Sequence, residues 1–202
     1  VQLFTHGRFS MVKGKSLDLL TQGEIIDPFL LLKEDLTKIA YASYFAELLR
    51  NSCEENKAQP QVFILTLAAF SFLEENMNPE LVARFFELRL LHYLGYSPLL
   101  EQCSYCGRRI ANSQFYMTPW RGGVTCASCM AKNNLSGQRL SAGSIMMMNK
   151  LMKTDLSKIG TLKPSAQSLN EMADALAAYW AYYLDGALQI RQMLMDLLGE
   201  HA

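Results

Sequence analysis

Two C-x-x-C pairs close the stretch CSYCGRRIANSQFYMTPWRGGVTCASC at residues 103–129, with the overall spacing C-x2-C-x19-C-x2-C. Each C-x-x-C turn aims two sulfurs at one point, and a loop of this length can bring the two turns together. The pattern predicts a four-thiolate Zn2+ site with Cys103, Cys106, Cys126 and Cys129 as ligands. A tetrahedral site filled by protein leaves no position for water, so the ion would be structural rather than catalytic. Gly107 follows the first pair, where a residue able to take positive φ lets backbone N–H groups face the sulfurs. Disulfides or unused thiols are the competing readings, and a thioredoxin-like redox pair would need a βαβ pattern that is absent. Cys53, in RNSCEEN near a helix end, is read as a bystander.

The segment around these cysteines is short on helix formers and rich in Gly, Asn, Ser and Arg, with only brief strand-like pieces such as QFYM and GGVTC. It reads as an irregular insert at residues 103–134. Such a loop cannot cover its ordering entropy by burial alone, whereas structural zinc supplies on the order of 10 kcal/mol of apparent binding energy.

Elsewhere the chain predicts helices. Its 202 residues, half of them hydrophobic, are enough to bury a substantial core. The opening, VQLFTHGRFSMVKGKSLDLLTQGEII, alternates loosely and turns at KGKS, which predicts a β-hairpin. In the DPF that follows, Asp27 offers a helix cap and Pro28 suits a first turn; from Glu34 apolar residues recur at helical spacing until EENKAQP. QVFILTLAAFSFLEEN is apolar on nearly every side and is expected to be the central helix. The next helix is bounded by Asn78 as N-cap, Pro79, Glu80 in the first turn and Gly95 past the end. Ser141 caps a short helix, SKIGTLKPS reads as a linker, and Ser165 caps a long final helix in which Gly186 marks a kink or close contact.

The longest apolar run, residues 62–70, is too short to cross a bilayer, and Asp174 and Asp185 interrupt the other apolar candidate, so no membrane span is expected. The first residues have neither an initiator Met nor a signal-peptide core and read as mid-domain sequence, as in a fragment. Cysteines used in C-x-x-C units suit a reducing compartment, which points to the cytoplasm.

The net charge of zero conceals a segregation. Residues 1–23 carry Arg8, Lys13 and Lys15 against Asp18; residues 24–101 carry twelve acids and six bases. Residues 102–154 hold seven bases and no acid, among them Arg108, Arg109 and Arg121 on the loop between the cysteine pairs, interleaved with Phe115, Tyr116 and Trp120. Basic and aromatic residues on a small rigid module can hold phosphates and stack bases. Equally, the bases can form a solvated rim that offsets the negative charge of a zinc tetrathiolate.

The stretches GEIIDPFLLLKEDLTKIAYASYFAELL, RFFELRLLHYLGYSPLLEQCSYCGR and GGVTCASC, in this order and at these separations, resemble the bacterial recombination mediator family RecO over nearly the whole chain. The resemblance implies a mainly α fold: a helical bundle at residues 28–202 with an inserted four-cysteine zinc module, preceded at residues 1–27 by a hairpin that looks like the closing strands of an OB-fold barrel whose earlier strands are missing from this chain. It also implies a non-enzymatic role in DNA repair and homologous recombination. Members bind single- and double-stranded DNA, anneal complementary strands, associate with RecR, engage the tail of single-strand-binding protein and help load the recombinase. The zinc ligands carry over as the four cysteines, and the DNA contacts loosely as Arg8, Lys13 and Lys15 on the hairpin and Arg108, Arg109 and Arg121 on the zinc loop. The implied location is the cytoplasm, at the nucleoid. The chain departs from the family at its end, where Arg191 stands in place of a basic cluster.

Two other functions compete. Catalysis has little to draw on, since the three histidines His6, His92 and His201 lie in no nucleophile or metal-water motif, and His92 falls in an apolar helix as a core or interface residue. A zinc-stabilised scaffold that binds partner peptides without DNA would use the acidic helices and Met-rich stretches IMMMNKLM and RQMLMDLL, although Met at helical spacing usually packs in a core.

Overall fold

The computed structural model describes residues 2–110 and 114–184. Gly186, Arg191, His201 and the stretch RQMLMDLL lie outside the described residues. Strands β1 (His6–Val12) and β2 (Leu19–Asp27) form the expected antiparallel hairpin, with Arg8 opposite Glu24. The hairpin leaves Met11, Val12, Leu19, Leu20 and Ile25 more than half exposed.

The helices follow as α1 (Leu30–Lys33), α2 (Leu36–Ser52), α3 (Pro60–Glu74) and α4 (Pro79–Tyr93). The cap expected at Asp27 does not start the long helix. Asp27 instead accepts the N–H of Phe29 at 2.9 Å, and Phe29 takes a left-handed backbone (φ 45°). The Phe29 ring is buried and meets Phe70 edge-on, and only the single turn of α1 follows. Asp35 caps α2, its carboxylate accepting from the N–H groups of Thr37 and Lys38 at 2.8 and 3.1 Å.

The central helix is α4, not α3. Every residue from 81 to 91 except Arg89 is buried, and α4 packs against α2, α3 and two later helices. Helix α3 covers one side of it and leaves Phe63 and Ile64 more than half exposed. Apolar content misleads here because α4 carries Arg84 and Glu87 into the core as an ion pair at 3.0 Å, joined by the hydroxyl of Tyr44, which donates to Glu87. Phe86 stacks on Phe45 with centroids 4.4 Å apart. The ends of α4 are as expected: the Asn78 side chain accepts from the N–H of Leu81 at 3.1 Å, and Gly95 has φ +85°. Asn78→Ala is expected to lower stability by about 1 kcal/mol, read as a drop in urea midpoint at unchanged slope.

Beyond α4 lie β3 (Phe115–Thr118), a 3-10 turn at Pro119–Arg121, β4 (Gly123–Cys126), α5 (Ala127–Lys132), β5 (Gln138–Leu140), α6 (Ala142–Lys153) and α7 (Ala166–Tyr183). Ser141 and Ser165 cap α6 and α7 as expected. Glu171 of α7 ties the two together, accepting from the Ser141 N–H and from the Ser144 hydroxyl at 2.7 Å. Burial pushes the Glu171 carboxyl up, but these bonds outweigh it and hold it below the usual range. Their contribution is therefore present near neutral pH and is lost as pH falls through that lowered value. The stretch read as a linker is a 3-10 helix, Leu156–Thr161, with Ile159 fully buried. In α6 the core takes Met148, while Met146 stays exposed. The last carbonyls of α6 are satisfied from α4, where Arg89 donates to Leu151 O at 3.1 Å and to Thr154 O. No helix among the described residues is long and apolar enough to cross a membrane.

Candidate metal centre and its basic rim

The strand-like pieces QFYM and GGVTC are β3 and β4, and with β5, beyond the expected insert, they make a three-stranded antiparallel sheet in the order β4-β3-β5 where an irregular loop was expected, with Phe115 opposite Cys126 and Leu140. Its physical reason is burial. Phe115, Met117, Val124 and Leu140 are fully enclosed in one hydrophobic cluster with the helices. The segment is thus part of the main core and not a detached loop. Thr118 and Thr125 satisfy each other inside it at 2.8 Å.

The first cysteine pair sits in a tight turn. Gly107, at φ +70°, donates its N–H to Cys103 O at 2.9 Å, and Arg108 O accepts from the Cys103 N–H at 2.8 Å. The second pair spans the junction of β4 and α5, with Cys126 ending the strand and Cys129 on the helix. The N–H of Ser104 donates to Val124 O at 2.8 Å, which brings the turns side by side.

All four sulfurs lie within 4.8 Å of one another, and those of Cys106 and Cys126 are 3.9 Å apart. A tetrahedron with metal–sulfur bonds of about 2.3 Å has sulfurs about 3.8 Å apart, so the donor set fits a metal ion of zinc's size and softness. The thiols are free. Backbone N–H groups of Tyr105 and Cys126 point at Cys103 Sγ at 3.4 and 3.3 Å, the arrangement expected around a thiolate ligand. Burial pushes the Cys103 thiol up, but the N–H groups of Cys126, Cys106 and Tyr105 together bring it down to about 6. Burial, the neighbouring thiols and the charge on Cys103 push Cys129 up to about 12. Four sulfurs this close cannot all carry negative charge without a cation between them.

The rim is basic. Arg108 and Arg109 are exposed on the first turn, where Arg109 bridges back to Gln102. Arg121 lies over the Tyr105 ring, its guanidinium carbon 4.5 Å from the centroid, and one of its nitrogens reaches Ser104 O at 3.4 Å. On the hairpin, Lys13 and Lys15 are exposed and Arg8 faces Glu24 at 3.6 Å in solvent. The six arginines and lysines singled out from the sequence therefore divide between two parts of the fold, the hairpin and the cysteine module.

Two other residues weighed in the sequence stand apart from the cysteine cluster. His92, read as a core or interface residue, is exposed and so not in the core, and its Nδ1 is 2.9 Å from the Ser97 hydroxyl. Cys53 closes the end of α2 through its N–H to Leu49 O, apart from the metal cluster. The sequence reading missed an aromatic seam between α7 and the turn after β3. Tyr183 donates its hydroxyl to Pro119 O at 3.2 Å, and the Tyr96 ring lies 4.8 Å from it. The clustered tyrosines of AAYWAYY were the available signal.

A family model described as Recombination protein O C terminal matches residues 33–192. The chain is similar to the DNA repair protein RecO of Symbiobacterium thermophilum, 34% identical over 199 residues, covering 97% of this chain and 78% of that protein. It is also 33% identical over 190 residues to the DNA repair protein RecO of Desulfitobacterium hafniense strain Y51, covering 93% of this chain and 69% of that protein. To that of Pelotomaculum thermopropionicum it is 33% identical over 200 residues, 99% and 77% of the two chains.

Proposed function

The chain belongs to the RecO family of DNA repair proteins, and from that premise we propose that it mediates homologous recombination by binding DNA, without a covalent step of its own. Zn2+ is the ion its four cysteines hold, in a structural role. The basic residues Arg108, Arg109 and Arg121 beside that ion contact phosphates, with Arg8, Lys13 and Lys15 of the hairpin as a second contact. We read the hairpin as the closing part of an OB-type barrel, a reading supported by the apolar residues it leaves exposed. On this reading the protein anneals complementary strands, associates with RecR and the tail of single-strand-binding protein, and acts in the cytoplasm at the nucleoid.

One observation carries the proposal: residues 102–154 hold seven bases and no acid, and three of them, Arg108, Arg109 and Arg121, stand exposed beside the four cysteines. Affinity for DNA is expected to fall steeply with salt. Arg108→Ala, Arg109→Ala and Arg121→Ala together should reduce the slope of log affinity against log salt by about 2–3. Fluorescence anisotropy across a salt series measures it. A flat response, or a triple variant that binds as before, would assign the protein to the alternative of a zinc-stabilised peptide-binding scaffold.

A further inference from the structure

Aromatic rings are exposed where the basic module meets the end of α7. Trp120 and Tyr105 are each 43% exposed, as is Tyr96, and Tyr182 is 56% exposed. The protein's other described tryptophan, Trp180, is 2% exposed, so the exposure of Trp120 is a property of its place and not of the residue type. Tyr96 and Tyr182 are joined through Tyr183, and the chain at Pro119–Arg121 connects them to Trp120 and Tyr105. Tyr182 meets Tyr183 edge-on at 5.0 Å, Tyr96 lies 4.8 Å from Tyr183, and the Tyr183 hydroxyl holds Pro119, the residue before Trp120. Arg121, the next residue after Trp120, is fixed over Tyr105.

We infer that Tyr182, Tyr96, Trp120 and Tyr105 form a stacking track for the unpaired bases of a single nucleic-acid strand, with Arg121 adding charge next to the rings. The inference rests on the DNA-binding reading and adds the form of DNA that this face selects. Two properties of nucleic acids and one observation on the chain support that occupant. Every base offers a π-face, so a row of rings takes a strand of any sequence. In a duplex those faces are already stacked and are withheld from the rings. The segment that supplies Tyr105 and Trp120 contains no Asp or Glu, and Glu101, just before it, is paired with Lys153, so nothing in this stretch repels a phosphate chain.

The full chain is titrated with a labelled oligothymidylate strand, with a matched duplex, and with an abasic strand of equal length. Oligothymidylate should quench tryptophan emission, and Trp120→Phe should abolish the quenching. Trp120→Ala combined with Tyr105→Ala should raise the dissociation constant for oligothymidylate about tenfold or more, with less than about a twofold change for the duplex or the abasic strand. Circular dichroism and zinc content matching the parent show that the variants fold. Should the double variant misfold, the quenching and its loss in Trp120→Phe decide alone. Salt-sensitive binding without quenching, or with equal losses on strand and duplex, overturns the stacking track and leaves the DNA-binding reading standing. No binding to any of the three at low salt overturns both.

Discussion

Cys126→Ser is expected to yield a protein with far less than one equivalent of zinc, a lost near-ultraviolet dichroism signal from the cysteine module, and a stability lower by several kcal/mol. Cys126 is buried, sits on β4 opposite Phe115, and offers its N–H to Cys103 as well as its sulfur to the cluster. Zinc held by four thiolates contributes on the order of 10 kcal/mol of apparent binding energy to the folded state alone, and a site with three thiolates loses much of it. The effect reaches beyond the module because Phe115, Met117 and Val124 belong to the common core. A strong chelator should reproduce the change in the parent protein. Acid should do so as well, since thiolates bind the metal and thiols do not, so affinity falls as pH falls. Elemental analysis together with urea unfolding makes the measurement. A Cys126→Ser protein with full zinc and an unchanged midpoint would remove the metal from the account of this fold.

The second large effect lies in the middle of α4. Glu87→Ala should destabilise the protein by about 3–5 kcal/mol, because it leaves the Arg84 charge buried without its carboxylate and takes away the acceptor of the Tyr44 hydroxyl. Two Arg84 nitrogens, Nε and Nη1, already lack a hydrogen-bond partner, so the guanidinium has little to fall back on. Replacing both charges, as Arg84→Met with Glu87→Leu, should recover most of the loss, since paired burial costs nearly as much desolvation as it returns in attraction. A single substitution that costs less than about 1 kcal/mol by urea unfolding would show that water reaches the pair.

Local signals carried most of the boundaries. Asn78, Ser141 and Ser165 cap where their side chains can take an N–H two or three residues on, a requirement visible in a few letters of sequence. The cysteine spacing pointed, by an equally local signal, to the four sulfurs that the fold brings together. What escaped was long-range. That α4 rather than α3 is central depends on which helix is surrounded, and α4 hides the fact by carrying two charges whose partners are fixed only after folding. The sheet of the cysteine module was obscured because β5 is three residues long and pairs across a turn of helix. Phe29 adopts a backbone that no propensity favours, to bury a ring against Phe70. The aromatic seam joins Tyr96, Pro119 and Tyr183, which are far apart in the chain.

Three consecutive residues, Leu99, Leu100 and Glu101, splice the parts of the molecule together. Leu99 exchanges backbone hydrogen bonds with Gly122 and Val124, Leu100 O accepts from Asn149 of α6, and Glu101 O accepts from Ile110 while its carboxylate meets Lys153. Bonds to the cysteine module at Leu99 and Glu101 alternate with bonds to α6 at Leu100 and Glu101, which leaves this segment little freedom to act as a hinge. A displacement of the cysteine lobe is therefore expected to carry the helices with it, so that lobe and bundle reorient together as one lever.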